Sequence, residues 1–166
     1  MNRALAKTIL AAAVLVPSVL LAQTKIDVSS RLIDYDLKQA VGESSTDTAL
    51  PRITVASGSE KTVELTREYK YPKKFNRILG LNVASSGTAY LGIRFPIYVR
   101  DNNNGTVSFL LRVELCERVD PSDPVSPVVK TTTSYWGERA FDKSFSIEVR
   151  APQHRTARLE LLLTRH

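Results

Sequence analysis

The chain has 166 residues, with 23 Lys and Arg against 17 Asp and Glu, a net charge of +6 and one cysteine. That length suffices for one domain with a real core, and a lone cysteine excludes an intrachain disulfide. The basic excess is too modest for a dedicated nucleic-acid binder, yet it leaves room for an acidic glycan, lipopolysaccharide or an acidic protein partner.

The N-terminus reads as a targeting segment. Arg3 and Lys7 give a positive start, Ile9 to Val16 is apolar, and Leu20-Leu21-Ala22 ends in a small residue before Gln23. This is a secretory signal-peptide pattern over 1–22, with cleavage expected after Ala22. The apolar run is shorter than the ~20 residues of a membrane span, and Pro17 interrupts it. A retained N-terminal anchor is the alternative. Cleavage would leave 144 residues with 21 basic and 17 acidic side chains, a net charge of +4. The expectation is a single exported domain over 23–166, in the periplasm, at the outer membrane or on the cell surface.

Lys25 to Lys38 reads as a first strand, with Ile26 and Val28 on one face and Ile33, Tyr35 and Leu37 on the other. The change of phase predicts a bulge or a crossing near Ser29-Ser30. Gln39 to Leu50 is polar and reads as an exposed loop. Pro51 to Ser57 is a short strand carrying Ile53 and Val55, and Gly58-Ser59 turns it into Glu60 to Tyr69. There Val63 and Leu65 point inward, while Thr62, Glu64 and Thr66 point out. Pro72 is expected to stop pairing because it lacks a backbone donor. Asn76 to Ala84 reads as a separate strand, with Ile78 and Leu81 or Val83 inward.

The strongest signal lies between Ala89 and Leu115. Ala89, Leu91, Ile93, Phe95, Ile97 and Val99 alternate, and so do Val107, Phe109, Leu111, Val113 and Leu115. Arg100 to Gly105 between them is a cluster of turn formers, so the stretch reads as a β-hairpin. Pro96 predicts an edge position, a bulge or a break near Arg94 to Ile97. Asp120 to Pro127 holds three prolines and reads as a stiff crossing loop. Val128 to Tyr135, Ser144 to Ala151 and Arg155 to Thr164 complete the strands, the last with Ala157, Leu159, Leu161 and Leu163 on one face.

Eight or nine short alternating strands predict an all-β, immunoglobulin-like sandwich, with a small closed barrel as the alternative. No set of residues specifies a reaction. His154 lies in the turn Pro152-Gln153-His154, and neither it nor His166 has a second ligand at a metal spacing. Asp34 and Asp36 share one strand parity and read as a wet face rather than a catalytic pair. Cys116 reads as a half-buried thiol near a strand end. A non-enzymatic chain with no cofactor and no metal is expected.

One patch stands out. Arg67, Tyr69, Lys70, Tyr71, Lys73, Lys74, Phe75 and Arg77 gather five cations and three aromatics within eleven positions. Aromatic faces beside cations suit sugar stacking, cation–π contacts or a protein interface. The competing reading is a loop anchored by its aromatics with its lysines in water. A carbohydrate-binding module for mucin or peptidoglycan would use Tyr69, Tyr71 and Phe75.

Leu50-Pro51-Arg52-Ile53-Thr54-Val55-Ala56-Ser57-Gly58 resembles a segment of bacterial outer-membrane secretins, the pores of type II secretion and type IV pilus systems. Arg67-Glu68-Tyr69, Tyr71-Pro72 and Phe75 continue a likeness to secretin-like proteins of Verrucomicrobia. The Gly-x-Ile-Pro secretin signature is missing, and no long membrane-inserted hairpin is expected. Taken whole, the chain resembles small exported proteins of the type IV pilus-associated gene cluster in mucin-degrading Verrucomicrobia, similar in fold to the immunoglobulin-like domains of archaeal type IV pilins. The resemblance implies a protein partner in a pilus or secretin assembly. It favours an accessory protein over a pilin-like subunit that keeps its N-terminal helix.

Overall fold

The computed structural model describes residues 23–166 apart from 39–41, 43, 79–80, 121 and 123–126, and the backbone alone over 72–78 and 81–86. The expected signal peptide, and the side chains of Ile78, Leu81 and Val83 that were expected inward, lie outside what is described. Among the described residues nine strands follow in order: β1 (Lys25–Ile33), β2 (Asp47–Ala49), β3 (Ile53–Ala56), β4 (Ser59–Ile78), β5 (Leu81–Asp101), β6 (Thr106–Arg118), β7 (Val128–Ala140), β8 (Phe145–Arg150) and β9 (Thr156–Arg165). Among the described residues, no helix is long and apolar enough to cross a membrane.

The strands form two antiparallel sheets rather than a closed barrel. One has the order β2-β1-β9-β8, with β3 also paired to β1; the other is the meander β4-β5-β6-β7. One apolar row from each strand meets between the sheets. Ile26, Val28 and Leu32 of β1 and Leu159, Leu161 and Leu163 of β9 face Ile93, Phe95 and Ile97 of β5 and Leu111, Val113 and Leu115 of β6 in one buried cluster. Burying a side chain of this kind stabilises the fold by roughly 1.5–3 kcal/mol each. Arg112 is exposed between buried Leu111 and Val113, so the expected register of β6 holds.

The central hairpin forms as expected. Asn103 and Gly105 take positive φ of 58° and 85° in its turn, and the Asn102 N–H donates to the Thr106 carbonyl at 3.1 Å. Pro96 does not lie at an edge, because β5 is central. The β5–β6 ladder instead breaks there, passing from Arg94 opposite Glu114 to Ile97 opposite Leu111. The break falls where proline has no donor to give.

Five expectations are corrected. β1 has no bulge at Ser29-Ser30: its pairing with β9 runs unbroken from Ile26 to Ile33. The switch of face comes at Asp34, whose φ of 62° turns the chain and brings Tyr35 and Leu37 into the core. Asp34 and Asp36 therefore share no strand face. Gln39 to Leu50 is not all loop, since Asp47–Ala49 pairs with β1. Pro72 does not stop β4, and Asn76 to Ala84 is not one strand. β4 continues to Ile78 opposite Leu81, with a register shift between Pro72 and Lys74 that leaves Lys73 as the extra residue. β4 is the edge of its sheet, where proline and a bulge are tolerated.

Candidate interaction site

The corrected β4 and β5 build the most distinctive feature of the molecule. β6 last pairs with β5 at Cys116 opposite Gly92. β4 and β5 continue without it, from Arg67 opposite Leu91 to Ile78 opposite Leu81. At about 3.3 Å per residue this two-stranded arm is on the order of 30 Å long.

The sequence-predicted patch lies on this arm. Arg67 is exposed at its base. Tyr69 and Tyr71 are half-buried and stack on one another, with ring centroids 6.0 Å apart and planes 14° apart. The Arg118 guanidinium lies 5.4 Å from the Tyr69 ring centroid, tying the end of β6 to the arm. Tyr71 lies across Gly87 of the opposite strand, and a Cβ at Gly87 would come within 2.9 Å of its Cζ. With glycine there the ring covers the backbone, and a side chain at this position would push it aside. Lys70 falls on the other face, exposed, 4.0 Å from Glu68. By register Lys74, Phe75 and Arg77 stand opposite Ser85, Ala84 and Asn82, and Lys73 is the bulged residue. Their side chains are outside the described set. The patch is thus a paired ribbon rather than a loop, and its residues divide between two faces.

Three buried carboxylates hold the sandwich beneath the arm, each against an arginine. Asp27 of β1 accepts from Thr54 Oγ1 at 2.6 Å and from Arg52 Nη2 at 2.6 Å. The Thr54 hydroxyl and then the Arg52 guanidinium hold its carboxyl below the usual carboxylate range. Both partners lie in the segment Leu50 to Gly58, which is thereby clamped onto β1. Asp101 accepts from Arg165 Nη2 at 2.7 Å and from the Asn103 N–H at 2.8 Å. Burial alone would raise its pKa, but the Asn103 N–H and the Arg165 guanidinium outweigh that and lower it. Glu117 accepts from the Tyr35 hydroxyl at 2.7 Å and from the Arg155 guanidinium, which also lies 5.0 Å over the Tyr35 ring. Burial, then the Glu117 carboxylate, pushes the Tyr35 phenol up. These acids were not singled out by sequence. The available signal was an acid, Glu117, continuing the inward parity of Leu111, Val113 and Leu115.

Among the described residues no group of three His, Cys, Asp or Glu could hold a metal ion. His154 is exposed in its turn. Asp36 anchors its own loop, accepting from Ser44 Oγ at 2.6 Å and the Lys38 N–H at 2.8 Å. Cys116 is half-buried, and burial pushes its thiol pKa up, away from the reactive thiolate.

No family model and no curated protein matches the chain. Among solved structures it is similar to the secretin InvG of the Salmonella SPI-1 type III secretion injectisome, at 10% identity and a TM-score of 0.48, over 87% of this chain and 61% of that one. It is similar to a chain of the Klebsiella pneumoniae type II secretion system outer membrane complex of PulD, PulS and the PulC HR domain, at 10% identity and a TM-score of 0.47, over 86% of this chain and 38% of that one. The type II secretin XcpQ of Pseudomonas aeruginosa is matched at 9% identity and a TM-score of 0.37, over 87% of this chain and 56% of that one. The chain therefore spans less than two thirds of the length of each of these proteins.

Proposed function

We propose that this chain is a non-enzymatic interaction module of the bacterial cell envelope, exported and docked into a secretion- or pilus-related assembly through the β4–β5 arm. The arm carries the reading. A two-stranded ribbon is marginally stable in water by itself, and the edge of a sheet is a template on which a further strand can pair. A ribbon that extends so far beyond its own sheet suits a partner surface that completes it. The basic and aromatic residues Arg67, Tyr69, Lys70 and Tyr71 add charge steering and stacking at its base. The secretin-like segment and the signal-peptide pattern supply the envelope context, and a pilus-associated cluster of the Verrucomicrobia type is the finer form of the proposal.

The test is recovery of the chain's partner from cell envelope at two salt concentrations. Wild type is compared with Lys70, Lys73 and Lys74 together changed to Ser. The variant should recover less partner at low salt and show a flatter salt dependence, because charge-steered association weakens as ions screen it. Equal recovery in all four samples would remove the patch from the interface and leave the arm's edges as the docking element.

A further inference from the structure

We infer a second binding site, for a neutral oligosaccharide, on the outer face of the β4-β5-β6-β7 sheet. Its platform is one row of side chains running across the strands. Tyr98 stands opposite Leu110, and Leu110 opposite Trp136. Trp136 is 85% exposed and Leu110 51% exposed, while Tyr98 is half-buried. With neighbouring strands about 4.8 Å apart, the row is roughly 10 Å long and a single residue wide.

Polar groups lie on both sides of the row. On one side a groove of about 240 Å³ is lined by Glu60, Pro96, Arg112 and Ser134 together with Leu110 and Leu111. The Arg112 guanidinium is 3.7 Å from Glu114, a loose contact that leaves its fork able to donate elsewhere. On the other side stand Arg100, Ser108 and Glu138, in register with one another across three strands. Glu138 is already hydrogen-bonded to Thr106, and Ser108 to Asn102 at 3.0 Å, so that rim is held in place.

Three features select the ligand. The apolar row exposes on the order of 300–400 Å², well under the ~800 Å² per partner of a stable protein interface. Its narrow shape suits a chain one ring wide, whose C–H faces stack on Trp136 and Tyr98 and whose hydroxyls reach the polar rows. The rim holds two cations, Arg100 and Arg112, and two anions, Glu60 and Glu138, so no net charge favours an ionic ligand. An oligosaccharide of neutral hexose or N-acetylhexosamine units meets all three. This site is separate from the arm and does not use Tyr69, Tyr71 or Phe75.

Trp136 is the single tryptophan of the chain, so intrinsic fluorescence reports directly on the site. The full chain is titrated with an N-acetylglucosamine tetramer, and in parallel with a sulfated heparin tetrasaccharide. We expect a saturable change in Trp136 emission with the neutral tetramer and none with the sulfated one. Tyr98→Ala and Arg112→Ala should each weaken it, roughly tenfold for Tyr98→Ala. Trp136→Ala should lose heat of binding in calorimetry while keeping the wild-type urea midpoint. A silent tetramer at millimolar concentration overturns the site. So does a response that both Tyr98→Ala and Arg112→Ala leave unchanged, or one that the sulfated sugar reproduces. An emission change that follows protein concentration without sugar would assign the face to a second copy of the chain and overturn the proposal equally.

Discussion

Strands β4 and β5 pass through two environments. From Ser59 to Thr66, β4 lies beside β5 residues Gly92 to Val99, and Val63, Ile93, Phe95, Ile97 and Val99 are buried under the other sheet. Beyond Arg67 and Leu91 the same two strands continue as a ribbon with no third strand among the described residues. Backbone pairing is alike in both halves; cover differs. In the sandwich half, each inward apolar side chain meets a facing sheet. In the arm, Tyr69 and Tyr71 have each other, Gly87 and Arg118, an aromatic arrangement worth about 0.5–1.5 kcal/mol beyond its buried area. Hydrogen bonds alone add little net stability, so a two-stranded hairpin gains less from its own pairing than the sandwich gains from its facing sheets.

The largest contrast should come from removing one side chain from each half. Phe95 is fully buried, and Phe95→Ala should cost about 3–5 kcal/mol in urea unfolding. Leu111→Ala should cost about 2–5 kcal/mol. Tyr71→Ala should move the global midpoint by no more than about 0.5 kcal/mol, because the arm opens without the sandwich. A Tyr71→Ala effect as large as that of Phe95→Ala would mean that the two halves form one cooperative unit.

The buried acids sharpen the same contrast, since all three lie in the sandwich. Glu117→Gln weakens the bonds to Arg155 and Tyr35, and we expect a loss of about 1–3 kcal/mol. Asp27 and Asp101 have carboxyl pKa values lowered by folding. Their contribution is therefore complete above the ordinary carboxylate value of 3.8 and is lost as pH falls through the lower folded values. The urea midpoint should fall on going from pH 7 to below pH ~4, and less so in Asp101→Asn. A midpoint that rose on acidification would reverse the assigned sign. The smallest effect is expected at the surface of β6, where Arg112→Ala should change stability by under about 0.5 kcal/mol.

Much of this was legible in the chain. The rows from Leu91 to Val99, Val107 to Leu115 and Ala157 to Leu163 have period two, and a half-buried strand leaves that trace. Their turn, Asn102 to Gly105, carries residues that accept positive φ. What was missed has specific causes. Asp34 reverses the facing of Tyr35 and Leu37 through a left-handed backbone that many aspartates never adopt, so the parity change looked like a bulge at Ser29-Ser30. Pro72 forbids a central strand but not an edge strand, and edge position is a property of the whole sheet. Trp136 lies just past the expected end of its strand. β7 alternates polar residues on both faces, so parity there gave no inward side and no warning that Trp136 faces solvent. The patch from Arg67 to Arg77 was visible as composition. Its division between two faces of a paired ribbon was not.

The arm's docking role is tested most directly by cutting the arm off at its base. Arg67 and Leu91 are opposite one another, so an Asn-Gly turn replacing residues 68–90 joins them with a hairpin loop of the favoured kind. We expect the full chain to enter a high-molecular-weight envelope fraction, and the shortened chain to fold, to unfold cooperatively with a midpoint near that of the full chain, and to be lost from that fraction. A shortened chain that folds and still enters that fraction in the same amount would contradict the docking role of the arm.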